Sequence, residues 1–150
     1  MGIVKTIKGD LLQLHKDGKA PLVIHGANCY QIMGAGIAGQ ISRQFPEVYQ
    51  ADKDYLLSTI SRLGTYSVGT TPHGLILNCY TQLLPGANFE YAALKSCLDK
   101  LNRIAIKREE YMEIHTPQIG CGIGGGNWVI VKDLMNKYEH LLFIVVEYEK

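Results

Sequence analysis

Gly120-Cys121-Gly122-Ile123-Gly124-Gly125-Gly126 is the stretch on which the reading of this chain turns, and five of its seven residues are glycine. Glycine loses more backbone freedom on folding than any other residue and adds no side chain to a core. A run of this kind is kept where the backbone must come close to something and offer it N–H groups. Its flanks sharpen that reading: Tyr111 to Pro117 has the composition of a strand, and Asn127 to Tyr138 that of a helix. A strand, a glycine loop and a helix N-terminus together form an anion site. Upstream, Gly34-Ala35-Gly36-Ile37-Ala38-Gly39 is a shorter loop of the same type. The two loops are expected to face each other across one ligand.

Working outward, the rest of the chain reads as alternating strands and helices. Gly2 to Lys8 is a short strand, and Pro21 to His25 is an apolar run that suits a strand covered on both faces. Ile37 to Phe45 carries helical spacing, and Pro46 opens a second helix through about Thr59. Tyr66 to Thr71 and Leu75 to Tyr80 are strands joined by a turn at Thr71-Pro72-His73-Gly74. Phe89 to Lys107 is the longest helix, with Asn88 as its expected N-cap. Leu141 to Tyr148 is a closing apolar strand. The alternation predicts an α/β chain, with a mixed sheet of about six strands and helices on both faces. If the strands before the glycine loops are parallel neighbours, both loops lie on the sheet edge where open α/β sheets bind ligands.

Composition sets the limits. A chain of 150 residues is expected to form one domain over residues 1–150. Net charge is +1, from 15 basic and 14 acidic residues, which argues against strong general nucleic-acid binding. Backbone amides carry no formal charge, so a small anionic ligand remains compatible with that balance. Cys29, Cys79, Cys97 and Cys121 form no CxxC pair, no metal-ligand cluster is recognisable, and no cofactor is implied. Reduced thiols, the lack of a signal-peptide pattern and the lack of an apolar run of membrane length point to a cytoplasmic, membrane-free protein.

The candidate chemistry lies at strand ends. His25 and Asn28 close the apolar strand before the first loop, where an imidazole can exchange protons and an amide can bind a sugar hydroxyl. Asp10 follows a strand and suits either a helix cap or acceptance from an adenine amine. Tyr148 is placed to stack on a base, and Tyr80-Thr81-Gln82 to line the same edge. Cys121 reads first as a small residue filling a tight loop, and its place near a helix N-terminus, which stabilises a thiolate, leaves a nucleophile as the lesser reading. The long loop is not a dinucleotide fingerprint, because no acidic residue follows at the required distance, and no Walker lysine follows either loop.

The ordered set Gly9-Asp10, His25-Gly26-Ala27-Asn28, Met33-Gly34-Ala35-Gly36-Ile37-Ala38 and Pro117-Gln118-Ile119-Gly120-Cys121-Gly122-Ile123-Gly124 resembles a macro domain over nearly the whole chain. It is most similar to the small stand-alone branch that includes the yeast-type ADP-ribose 1″-phosphate phosphatase and the terminal ADP-ribose glycohydrolases. The resemblance implies a three-layer α/β/α sandwich that binds ADP-ribose or a phosphorylated or protein-linked derivative; a monomer is the separate expectation for the chain. It implies that Gly9 and Asp10 hold the adenine end, with Tyr148 facing the base. Asn28 would meet the distal ribose, and Gly34, Ala35, Gly36, Ile37 and Ala38 would wrap it and the diphosphate. Gly120, Cys121, Gly122, Ile123, Gly124 and Gly125 would clasp the phosphates, with Thr81 at the same edge. His25 matches the phosphatase histidine, so removal of the 1″-phosphate with His25 and Asn28 as catalytic residues is the first expectation. Release of ADP-ribose from modified protein or nucleic acid, or binding without turnover, are the alternatives. Two departures bear on the reaction. Glycohydrolases of this branch often carry a lysine just after the central strand, where this chain reads Asn78-Cys79-Tyr80-Thr81-Gln82. They also carry an aspartate in the second loop, where this chain has Gly124.

Overall fold

A computed structural model describes residues 2–149. In chain order the elements are β1 (Gly2–Gly9), α1 (Leu11–Lys16), β2 (Leu22–Asn28), α2 (Gly36–Gln44), α3 (Pro46–Asp54) and α4 (Thr59–Arg62). Then follow β3 (Tyr66–Thr71), β4 (Gly74–Gln82), α5 (Tyr91–Lys107), β5 (Met112–Thr116), α6 (Trp128–Met135) and β6 (Leu141–Tyr148). The strands form one six-stranded sheet in the order β1-β6-β5-β2-β4-β3. All neighbouring pairs are parallel except β3–β4, which is the expected hairpin.

Apolar side chains leave both faces of the sheet and need cover on each. One face carries Ile24, Leu77, Ile114 and Phe143, packed against Leu94, Leu98 and Leu101 of α5 and Val131 and Met135 of α6. The other carries Val23, Ile76 and Val146, packed against Leu11 and Leu12 of α1, Ile41 of α2 and Val48 of α3. This is the three-layer sandwich. Ala93, Leu94, Cys97, Leu98, Leu101 and Ala105 form the buried stripe of α5, as its spacing predicts, while Ile104, expected in the same stripe, is half-buried.

Two differences from expectation have a visible side-chain cause. The helix opened by Pro46 stops at Asp54, and α4 is a separate turn. Arg62 accounts for the break: its guanidinium donates to the backbone oxygens of Asp52, Tyr55 and Leu57, so the chain must fold around it. Asn88 does not cap α5. Its side chain donates to the Pro85 oxygen, and Glu90 occupies the cap position.

The topology places the site. β5 and β2 are parallel neighbours, with Val23 opposite His115, so the glycine loops that follow them emerge side by side at the carboxyl edge. The ends of β1, β6 and β4 reach the same edge.

Candidate functional site

A cleft runs along that edge in two chambers. The first, about 530 Å³, is lined by Asp10, Leu11, Leu12, Gln40, Cys121, Val146, Glu147 and Tyr148. The second, about 440 Å³, is lined by Ala27, Asn28, Ile32, Thr81, Gln82, Pro85, Ile119 and Gly120. Gly36, Ile37, Pro117, Gln118 and Gly122 line both, so the chambers meet between the two glycine loops. The loops therefore do face each other.

The meeting point is rich in unused N–H groups. Ala35 is the N-cap of α2 and supplies no side-chain cap, so the amides that open the helix have no intrahelical acceptor. In the long loop, Gly125 N donates to Gly122 O (3.1 Å) and Gly126 N to Gly120 O (2.7 Å). The amides of Gly122, Ile123 and Gly124 have no acceptor among the described residues. Opposed free amides at a helix N-terminus bind anions. Two positions show why the loop is glycine. Gly120 has φ +76°, and a Cβ there would strike the Phe89 ring. Gly124 brings bare backbone against Gln82, where a Cβ would lie 3.1 Å from Gln82 Oε1.

The two chambers differ in charge. The first contains two carboxylates, Asp10 and Glu147, and no cation. Asp10 serves the cap as expected: Oδ1 accepts from Leu12 N (3.1 Å) and Gln13 N (3.2 Å), and Oδ2 takes no part in it. Glu147 is held by Gln118, whose Nε2 donates to Oε1 at 3.2 Å. Tyr148 stands at the rim, 64% exposed. The second chamber has no Asp, Glu, Lys, Arg or His in its lining. Its polar groups are amides and a hydroxyl. Asn28 accepts from Tyr30 N (2.9 Å) and donates to Ile32 O (2.8 Å), which folds the first loop back over the strand end. That loop is pinned to α3, because Gln31 Nε2 donates to Lys53 O and Tyr49 Oη donates to Gln31 O.

Several expected site residues lie elsewhere. His25 is fully buried, lines neither chamber, and lies 2.6 Å from Asn78 Oδ1 through Nε2. It belongs with the sheet interior, and burial holds its pKa below the usual value, so the ring is neutral. It cannot reach a ligand in the cleft, which corrects its assignment as a catalytic residue. Gly9 and Gly125 also line neither chamber; Gly9 O accepts from Glu149 N, and Gly125 packs near Ala87. Burial pushes the Cys121 thiol up, and Sγ donates to Ile119 O, which supports the reading of Cys121 as a small residue filling a tight loop. Asn28, Gly34, Ala35, Gly36, Ile37, Ala38, Thr81, Gly120, Gly122, Ile123 and Gly124 come together in the second chamber, and Asp10, Cys121 and Tyr148 in the first.

Sequence reasoning placed Gln82 at this edge without giving it a role, and did not weigh Gln118 and Glu147 as site residues. A glutamine at a strand end gives little signal. The bulge that exposes Gln82 is non-local: Ala27 pairs with Tyr80, Asn28 pairs with Gln82, and Thr81 is the extra residue.

An α/β/α sandwich with an amide-lined cleft at the carboxyl edge of its sheet defines a class of fold whose cleft suits an anionic ligand. A family model described as the Macro domain matches residues 24–135. A 17.5 kDa protein from the tk-vs intergenic region of phage T4 is 41% identical over 96% of this chain and 95% of its own. The chain belongs to the macro-domain family. A DNA ADP-ribosyl transferase–DNA ADP-ribosyl glycohydrolase fusion protein of Thermosipho africanus is 28% identical over 80% of this chain, which spans 36% of that protein's length. The structure of Thermosipho africanus DarTG in complex with ADP-ribose superposes with a TM-score of 0.73 at 22% identity, covering 95% of this chain and 42% of that one. The last likeness establishes the shared fold.

Proposed function

We propose that the chain binds ADP-ribose along the cleft and releases it from a modified macromolecule. The observation that carries this reading is the order of chemistry along the cleft: carboxylates and apolar side chains, then opposed free amides, then a neutral amide and hydroxyl chamber. Adenine, with its amine donor, suits Asp10. A diphosphate suits the amides of Gly36, Ile37, Gly122 and Ile123, and carboxylates at one end repel it from the first chamber. A ribose suits Asn28 and its neutral surroundings. The family supports the ligand, and the Thermosipho fusion protein supports release from nucleic acid as one form of the reaction.

In that reaction water attacks the anomeric carbon, the bond to the macromolecule breaks, and the departing group takes up a proton. No ionisable side chain lines the second chamber, so its residues orient the sugar and the water rather than exchange protons. Phosphate removal by His25 loses its acid–base group, because His25 lies outside the cleft. The same neutrality favours a second reading, binding without turnover.

Calorimetry with ADP-ribose tests the binding. Label release from ADP-ribosylated DNA and protein, run beside phosphate release from ADP-ribose 1″-phosphate, tests the reaction. Release of ADP-ribose without phosphate release is expected. Tight binding with no release selects the second reading, and no ADP-ribose binding sinks both.

A further inference from the structure

We propose that Gln82, with Thr81 beside it, makes the second chamber selective for ADP-ribose carrying an uncharged group on the far anomeric carbon, and against a phosphate there. This rests on the ADP-ribose reading and extends it to the class of linkage the site accepts.

Gln82 Nε2 donates to Leu84 O at 2.7 Å and to Gly86 O at 2.8 Å. An amide nitrogen has two hydrogens, so both are used. Rotating the amide by half a turn would press Oε1 against two carbonyl oxygens, so its orientation is fixed. Oε1 is left as a pure acceptor turned toward the glycine loop, 3.1 Å from where a Cβ on Gly124 would lie.

Thr81 is an independent observation. It is 1% exposed, lines the second chamber, and its Oγ1 has no hydrogen-bond partner among the described residues. The buried hydroxyls of Ser67, Thr71 and Thr116 are all bonded. Thr81 is also the bulge residue, and its hydroxyl lies 2.9 Å from where a Cβ on Gly26 would sit. Bulges of this type re-aim side chains at sites.

Together these put an acceptor at the wall of a chamber without a cation, and a buried, unpartnered hydroxyl behind that wall. A phosphate monoester there would meet the Gln82 carbonyl oxygen, and with the amides of Gly36, Ile37, Gly122 and Ile123 taken by the diphosphate the nearby loop donor left to it is the Gly124 amide. A free hydroxyl, an ester or an N-glycosidic linkage brings no such charge, and the ribose hydroxyls beside it donate to Gln82. Gln82 therefore acts by exclusion as well as by contact.

Calorimetry with ADP-ribose, ADP-ribose 1″-phosphate and AMP, on wild type, Gln82→Lys and Gln82→Met, tests this. Wild type is expected to bind ADP-ribose about tenfold or more tighter than the 1″-phosphate. Gln82→Lys should close that ratio by about tenfold, and Gln82→Met should weaken ADP-ribose about threefold while leaving the 1″-phosphate unchanged. AMP, which occupies only the first chamber and the amides, should bind all three proteins alike. A wild-type ratio under about threefold overturns the proposal whatever the variants do. So does an unchanged ratio in Gln82→Lys with AMP affinity intact. Failure of wild type to bind ADP-ribose overturns the ADP-ribose reading with it, whereas ADP-ribose binding with no preference overturns the Gln82 assignment alone.

Discussion

His25 and Asn78 face each other inside the sheet, Nε2 to Oδ1 at 2.6 Å. Asn78 Nδ2 donates to Val48 O and Ser67 Oγ, both at 3.1 Å, so its oxygen must face His25, and His25 is the donor. The chain of contacts continues through Ser67 to Tyr80 (2.8 Å) and from Tyr80 to Asp52 (2.7 Å). His25 is thus one end of a buried polar network. Truncation to His25→Ala is expected to destabilise the fold by about 2 kcal/mol or more, from the cavity and the orphaned Asn78 oxygen. That lowers Tm by roughly 5 °C. Affinity for ADP-ribose and any turnover should survive in the folded fraction. A full loss of turnover at unchanged Tm would restore His25 to the site.

Burial lowers the pKa of His15, His25 and His115 alike. In the unfolded chain each returns to about 6.5. Below that pH the unfolded state binds more protons than the folded one, so stability falls as pH drops. Asp52, raised by burial, works the other way, but it is one group against three. Tm is expected to fall between pH 7.5 and pH 5.5. A Tm that holds or rises would mean the imidazoles are not buried as described.

Much of this was legible from residues. Two glycine loops after apolar strands named the edge where the cleft lies, and the helical stripe of Phe89 to Lys107 named one face of the core. What escaped was side-chain direction in continuous apolar runs. Pro21 to His25 lacks the alternation that marks an inner and an outer face, so His25 read equally well as a cleft residue. The Thr81 bulge, which sets Gln82 against Gly124, depends on pairing with β2 and leaves no local trace. Arg62 was unreadable for a similar reason: its partner Asp52 lies across a helix end that only tertiary contacts define.

Asp10 carries two expected jobs that one pair of variants separates. Asp10→Asn keeps an oxygen for the α1 cap, so Tm should hold, while AMP and ADP-ribose bind about tenfold more weakly for loss of the acceptor. Asp10→Ala should show the same binding loss and also cost about 1 kcal/mol of stability. Equal affinity in wild type and Asp10→Asn would reduce Asp10 to a cap.

Glycines in the second loop should divide by what surrounds them. A Cβ on Gly122 would meet nothing within 4 Å, and Gly122 lines both chambers. Gly122→Val is therefore expected to leave Tm within about 2 °C while weakening ADP-ribose tenfold or more, because the new side chain fills ligand space. Gly120→Ala instead strains a left-handed backbone and meets Phe89, so Tm should fall by several degrees. The reverse pattern would mean that the ligand lies elsewhere.

The Asp52–Arg62 pair is tied to the second chamber through α3 and the first glycine loop. Their side chains are 1% and 4% exposed at 3.2 Å, and Arg62 also stacks over Tyr55 and Tyr80. Breaking a buried pair leaves an uncompensated charge and typically costs about 3–5 kcal/mol. Arg62→Met is expected to lose an amount of that order, less where Asp52 takes up a proton, which burial already favours. The loss should reach the ligand. α3 carries Lys53 and Tyr49, which hold Gln31, and Gln31 sits in the loop that Asn28 folds back. At a temperature where the variant is still folded, ADP-ribose should bind more weakly and AMP should bind as before. Equal loss of both ligands would point to general unfolding, and a Tm unchanged from wild type would show that the pair contributes nothing net.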